Sequence, residues 1–181
     1  MRVLSREEQA RFVSYLLEDM DTYKFGVLLA LFTGVRIGEL CALQWGKISL
    51  KEQTIRIDAT LQRLRDTSAV GSARTRIVIS TPKSDTSVRT IPVTDYTAEL
   101  CGKMAPHSSA AYVLTGTDSF MEPRALQYRM EKYTRKCGLE GVHFHTLRHT
   151  FATRAVEVGF EIKSLSEVLG HSPACGQAAS G

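Results

Sequence analysis

No apolar run in this 181-residue chain approaches the roughly 20 residues that a membrane-spanning helix requires. The opening Met1-Arg-Val-Leu-Ser-Arg-Glu-Glu8 lacks the apolar stretch of a secretory signal. Cysteine is scarce and scattered: Cys41, Cys101, Cys137 and Cys175 form no C-x-x-C pair, which argues against a disulfide framework and for reduced thiols in a cytoplasmic protein. There is no internal repeat and no H-E-x-x-H helix, the usual zinc-hydrolase signature. Tyrosine is absent from the whole C-terminal stretch: Tyr15, Tyr23, Tyr96, Tyr112, Tyr128 and Tyr133 all precede the histidine-rich segment. With 43% hydrophobic and 23% charged residues, the chain reads as one globular domain that can bury its own core.

Net charge is only +4, but it is unevenly spread. Residues 51–92 hold eight Lys and Arg against four acids, while the remainder holds fifteen of each sign. A basic stripe of this kind suits a polyanion such as DNA. An edge-strand surface kept soluble by cations has the same composition.

Residue spacing predicts several helices with three strands between them. Ser5-Arg-Glu-Glu8 has capping-box spacing and opens a helix to about Met20. Thr22 is expected to cap a second helix, apolar nearly all round and therefore central, that ends at Gly34. A third starts near Arg36 and reaches Leu43, followed by Trp45 as a core or rim aromatic. The pattern then alternates, giving strands at 54–58, 74–80 and 87–93, the last two joined as a hairpin through Lys83-Ser-Asp-Thr. Residues 66–73 read as a loop. Further helices are expected from Thr94 to about Met104, and from Pro123 to Cys137 with Gly138 as the stop. Two more are expected at 147–158, capped by Thr146, and at 162–169, stopped by Gly170. The domain is expected over 1–171, with 172–181 a small, unpatterned tail.

Three stretches carry chemistry. His143-Phe-His145-Thr-Leu-Arg148-His149 sets imidazoles beside a guanidinium, a pairing suited to work on a phosphate. Thr33-Gly-Val-Arg36-Ile-Gly-Glu39-Leu places an arginine just past a helix-ending glycine, with Glu39 on the same helical face to orient it. Thr81-Pro-Lys83-Ser-Asp-Thr puts a lysine at a turn, able to protonate a leaving oxygen. Arg36 and Arg148 are expected to grip the non-bridging oxygens of one phosphodiester, Arg148 from the first turn of its helix, where free backbone N–H groups favour anions. His145 can shuttle a proton, and His171 can donate to the phosphate. Taken singly, each has an ordinary structural explanation, as a salt bridge, a solvated turn lysine or a capping histidine.

Together these residues resemble the tyrosine recombinase (phage integrase) family, over nearly the whole chain from Leu4-Ser5-Arg6-Glu7-Glu8 to Gly170-His171. The Thr33–Leu40 stretch resembles the family's first arginine box, and Thr81-Pro-Lys83 onward its lysine hairpin. His145-Thr-Leu-Arg148 resembles its H-x-x-R box, and Leu169-Gly-His171-Ser its last histidine box. The resemblance implies the DNA breaking-rejoining catalytic-domain fold, α+β and mainly helical with a small three-stranded antiparallel sheet, and a metal-independent transesterase that uses no cofactor. It implies Arg36 and Arg148 as the phosphate clamp, Lys83 as the general acid, His145 and His171 at phosphorus, and Glu39 in support. Arg74, Arg76, Lys83 and Arg89 are expected to contact DNA. The implied partners are double-stranded DNA and, for the full-length protein, three further protomers in a tetramer. No membrane is implied, and this chain alone is expected to be a cytoplasmic monomer. Two departures stand out. A separate N-terminal helical domain, usual in the family, is not expected before the first helix. The tyrosine that attacks DNA in such enzymes should follow the last histidine box by a short helix, where this chain holds Ser180 and no tyrosine. The chain is therefore expected to bind DNA without cleaving it.

Two other readings compete. One is a non-cleaving, regulatory DNA-binding derivative. The other is a metal hydrolase, since His145 and His149 have the i, i+4 spacing of helical zinc ligands; placing Thr146 at the cap would leave His145 outside the helix and count against it.

Overall fold

The computed structural model describes residues 1–65, 75–80 and 88–170. Among them are seven α-helices: α1 (Arg6–Leu17), α2 (Thr22–Thr33), α3 (Ile37–Ala42), α4 (Asp95–Met104), α5 (Pro123–Lys136), α6 (Phe144–Glu157) and α7 (Ile162–Leu169). The strands are β1 (Ile48–Ser49), β2 (Thr54–Ile57), β3 (Thr60–Arg65), β4 (Thr75–Ser80) and β5 (Arg89–Pro92). Helix α2 is the hub. Its Phe25, Val27, Leu28 and Leu29 are buried, and it packs against α1, α3, α4, α5 and α6. A helix this apolar has no face to show to water, so its neighbours must enclose it. Trp45 stacks on Phe25 at 5.7 Å between ring centroids and is core. Among the described residues no helix is long and apolar enough to cross a membrane.

Most helix ends follow their sequence signals. Ser5 Oγ accepts from the Glu8 amide at 3.1 Å, and Glu8 reaches back to the Ser5 amide at 2.8 Å. Gly34 (φ 69°) and Gly170 (φ 65°) end α2 and α7 in the left-handed conformation that glycine adopts without steric cost. Two caps differ from expectation. Asp21, not Thr22, caps α2, its carboxylate accepting from the amides of Tyr23 and Lys24 at 3.0 and 2.8 Å. Helix α6 begins at Phe144, earlier than Thr146 suggested. His143 is the capping residue, and the Thr146 hydroxyl reaches back to accept from its amide at 3.1 Å. A hydroxyl at the third helical position does here what a glutamate does in a capping box. His145 therefore lies inside the helix, and Arg148 lies in its second turn, beyond the free amides.

The sheet differs more. A three-stranded antiparallel sheet is present, but its order is β1-β2-β5, with Ile55 opposite Ile91 and both buried. Strands β3 and β4 form a separate antiparallel ribbon, Leu61 opposite Ile79. So β4 and β5, expected as one hairpin, pair with different partners. Their short connection suggested a local pairing, whereas β3, unrecognised in the sequence, takes β4 instead. Leu61 and Leu64 are three residues apart, which breaks the alternation that marks a strand. The 66–73 loop, the Lys83 turn, Arg74, His171 and the 172–181 tail lie outside the described residues.

Candidate phosphate-binding site

The left-handed turn at Gly34 delivers Val35 into the core and leaves Arg36 as the residue before α3, with Glu39 one turn on. Glu39 is only 6% exposed and accepts four hydrogen bonds. Arg36 supplies two, from its amide at 2.9 Å and from Nη1 at 3.0 Å. Arg89, carried by β5, supplies the others from Nη1 and Nη2 at 2.9 and 2.8 Å, a bidentate pair. Helix α6 brings Arg148, which donates to the Gly34 carbonyl at 2.7 Å and to the Leu169 carbonyl at 2.6 Å.

The last turn of α7 closes the arrangement. Its final carbonyls lack helical partners and carry the negative end of the helix dipole. Val168 O accepts from Arg89 Nε at 2.6 Å, Leu169 O from Arg148, and Gly170 O from Arg36 Nη2 at 3.2 Å. Each of the three arginines thus holds one carbonyl of this turn.

Electrostatically the cluster favours an anion. Among the described residues, three guanidinium groups surround one carboxylate. Burial first, and then the Arg36 charge, pull the Arg148 guanidinium down to about 10. An incoming anion would relieve that repulsion. Burial pushes the Glu39 carboxyl up, but hydrogen bonds and charge from Arg89, then Arg36, outweigh it and hold the group below its ordinary value.

Arg36 and Arg148 line one groove of about 320 Å³ together with His143, His145, Thr60 and Gln127. The groove joins a second of about 290 Å³ through shared walls at Ile37, Gly38, Leu61 and Gln127, reaching Arg63 and Arg124 at the start of α5. Of the residues expected at the site, Arg36, Glu39, His145 and Arg148 are therefore brought together; Lys83 and His171 lie outside the described residues. Of the expected DNA contacts, Arg76 is exposed and Arg74 lies outside the described residues. Arg89 departs from the basic surface stripe: it is 8% exposed and turned inward onto Glu39. Its strand explains this, because Arg89 and Ile91 share the buried face of β5. Gln127, Arg124 and Gly38 went unrecognised. A glycine inside Ile37-Gly38-Glu39 does signal close approach of another backbone.

At Gly38 the approach is tight. A Cβ there would stand 2.7 Å from both the Leu61 carbonyl oxygen and Thr60 Oγ1. Since the first of these is backbone, β3 must shift to admit it. Gly38→Ala is expected to cost about 1–3 kcal/mol of stability. An unmoved thermal midpoint would show that β3 yields freely.

His145 and His149 share a face of α6, their ring centroids 6.5 Å apart. The reason given against a metal-binding pair, that His145 lies outside the helix, therefore does not hold. Among the described residues, however, no group of three histidine, cysteine or carboxylate side chains is placed to hold a metal ion. His149 is held below its ordinary value by burial, then by His145 and Arg148. Cys41, Cys101 and Cys137 are free and buried.

The sequence matches the model of the phage integrase family over residues 2–174. It is 27% identical over 164 residues to a XerC-like tyrosine recombinase of Caldanaerobacter subterraneus, covering 80% of this chain and 41% of that protein. It is 29% identical over 177 residues to the tyrosine recombinase XerA of Thermococcus kodakarensis, covering 94% of this chain and 54% of the relative. The chain thus spans about half the length of these relatives. Among solved structures, the Tn1549 transposon integrase in complex with transposon right-end DNA superposes with a TM-score of 0.73 at 22% identity, covering 94% of this chain and 58% of that one. A XerA recombinase superposes with a TM-score of 0.69 at 22% identity, covering 96% and 57%. These likenesses establish the mostly helical fold with a small antiparallel sheet.

Proposed function

Because the chain belongs to the phage integrase family of tyrosine recombinases, we propose that it is the phosphate-engaging part of a site-specific DNA recombinase or integrase. The observation that carries this reading is the arginine cluster around Glu39, opening onto a groove beside His145. Arg36 and Arg148 clamp the scissile phosphate, and Glu39 holds Arg36 in place. His145 handles a proton at phosphorus, Lys83 protonates the leaving 5′-oxygen, and His171 donates to a non-bridging oxygen. A tyrosine hydroxyl supplied from outside this sequence attacks phosphorus, the P–O5′ bond breaks, and a 3′-phosphotyrosyl link forms. The later attack of a 5′-hydroxyl reverses the step, so no metal or high-energy cofactor is needed. On DNA four protomers assemble; this chain alone is monomeric, acting on cytoplasmic or nucleoid DNA.

Without the tyrosine, this chain binds DNA and does not cut it. Duplex affinity is expected to fall steeply with salt, log Kd changing by about 0.9 per log unit for each phosphate neutralised. Fluorescence anisotropy across a salt series measures this. Binding that ignores salt would overturn the reading.

A further inference from the structure

We infer that Arg89 is a positioning residue for the phosphate site, acting through Glu39 and the last turn of α7 rather than by touching DNA. The inference rests on the reading of the site as a phosphate clamp. Arg89 is not among the residues lining the groove. Its side chain is 6% exposed, and its guanidinium is committed in two directions: Nη1 and Nη2 to Glu39, Nε to Val168 O. Both groove arginines meet its partners. Arg36 shares the Glu39 carboxylate through two hydrogen bonds. Arg148 holds Leu169 O, the carbonyl next to the one Arg89 holds. Arg89 also fits tightly against Gly170, where a Cβ would stand 3.0 Å from Nη1 and 3.2 Å from Cδ. One planar fork thereby ties β5, α3 and the end of α7 together. Lysine keeps the charge but cannot aim donors along both directions at once.

The charges facing Glu39 come from three elements: Arg36 before α3, Arg89 on β5 and Arg148 on α6. Because the Arg89 hydrogen bonds are the largest of the effects that lower the Glu39 carboxyl, weakening them should raise its titration midpoint. A purely structural role elsewhere in the fold would leave that midpoint alone.

The test uses the full 181-residue chain and inorganic phosphate as probe. Nitrogen NMR follows the Nε–H signals of Arg36 and Arg148 during phosphate titration, and carbon NMR follows the Glu39 carboxyl against pH. Arg89→Lys is expected to weaken the phosphate response by roughly tenfold and to raise the Glu39 midpoint. Combined with Glu39→Gln it should cause no further loss, because the two act in one chain of contacts. If Arg89→Lys does not fold, Glu39→Gln alone carries the test with the same expected loss; an unchanged phosphate response overturns the inference. A phosphate response and Glu39 midpoint equal to those of the unaltered protein also overturn it, leaving the phosphate reading intact. No response in the unaltered protein overturns the phosphate reading, and the inference with it.

Discussion

Replacing Glu39 by alanine is expected to lower the stability of the fold by about 3–5 kcal/mol, the usual cost of removing one partner from a buried ion pair. Glu39 accepts four hydrogen bonds from Arg36 and Arg89 while almost fully buried. Without it, the Arg89 guanidinium loses the carboxylate that offsets its desolvation, and repulsion among Arg36, Arg89 and Arg148 goes uncompensated. The effect carries a pH signature. The Glu39 carboxyl is held below its ordinary value of 4.5 in the folded protein. Its contribution is therefore fully present above 4.5 and is lost as pH falls through the lowered folded-state value. Urea denaturation should show a wide gap between the unaltered protein and Glu39→Ala near neutral pH, narrowing on acidification. Equal stabilities at neutral pH would show that the cluster does not depend on this carboxylate.

The second large effect falls on chemistry. In the chain extended by a tyrosine-bearing C-terminal segment, Arg148→Ala is expected to slow formation of the covalent protein–DNA link by about 10²–10³. Duplex affinity should change far less, because it is spread over many phosphates. Arg148→Lys should not restore the rate. The guanidinium uses separate nitrogens on Gly34 O and Leu169 O, a geometry that a single ammonium does not reproduce. A cleavage rate within a few fold of the unaltered protein would contradict this role. A single-turnover assay on a nicked duplex reads it directly.

Much of the architecture was legible because it rests on local signals. The all-round apolar character of Phe25 to Phe32 marked α2 as central, and the glycines at 34 and 170 marked two helix ends through a conformation that few other residues adopt. Arg36, Glu39, His145 and Arg148 could be picked out because guanidinium and imidazole groups set close together suit work on a phosphate, and because their spacing matches the motifs of the family the chain resembles. What stayed hidden was non-local. The exchange of partners between β3, β4 and β5 depends on which strands meet after the chain has folded, and Thr60–Arg65 lacks the alternation that would have declared it. Arg89 is the instructive miss. Counted among cations it reads as DNA-facing surface, yet its two-residue spacing from Ile91 on a strand already placed it on the inward face. The early start of α6 was missed because Thr146 resembles a cap while serving from the third helical position.

The most direct measurement is to join the chain to a C-terminal segment carrying a tyrosine a short helix beyond His171 and incubate it with nicked duplex DNA in excess chelator. The expected result is a protein–DNA adduct resistant to denaturant, present in chelator and absent from the extended Arg36→Ala and Arg148→Ala variants. No adduct from the folded, DNA-bound protein, or one that forms only when a divalent metal is restored, would contradict a metal-independent phosphate clamp built from Arg36 and Arg148.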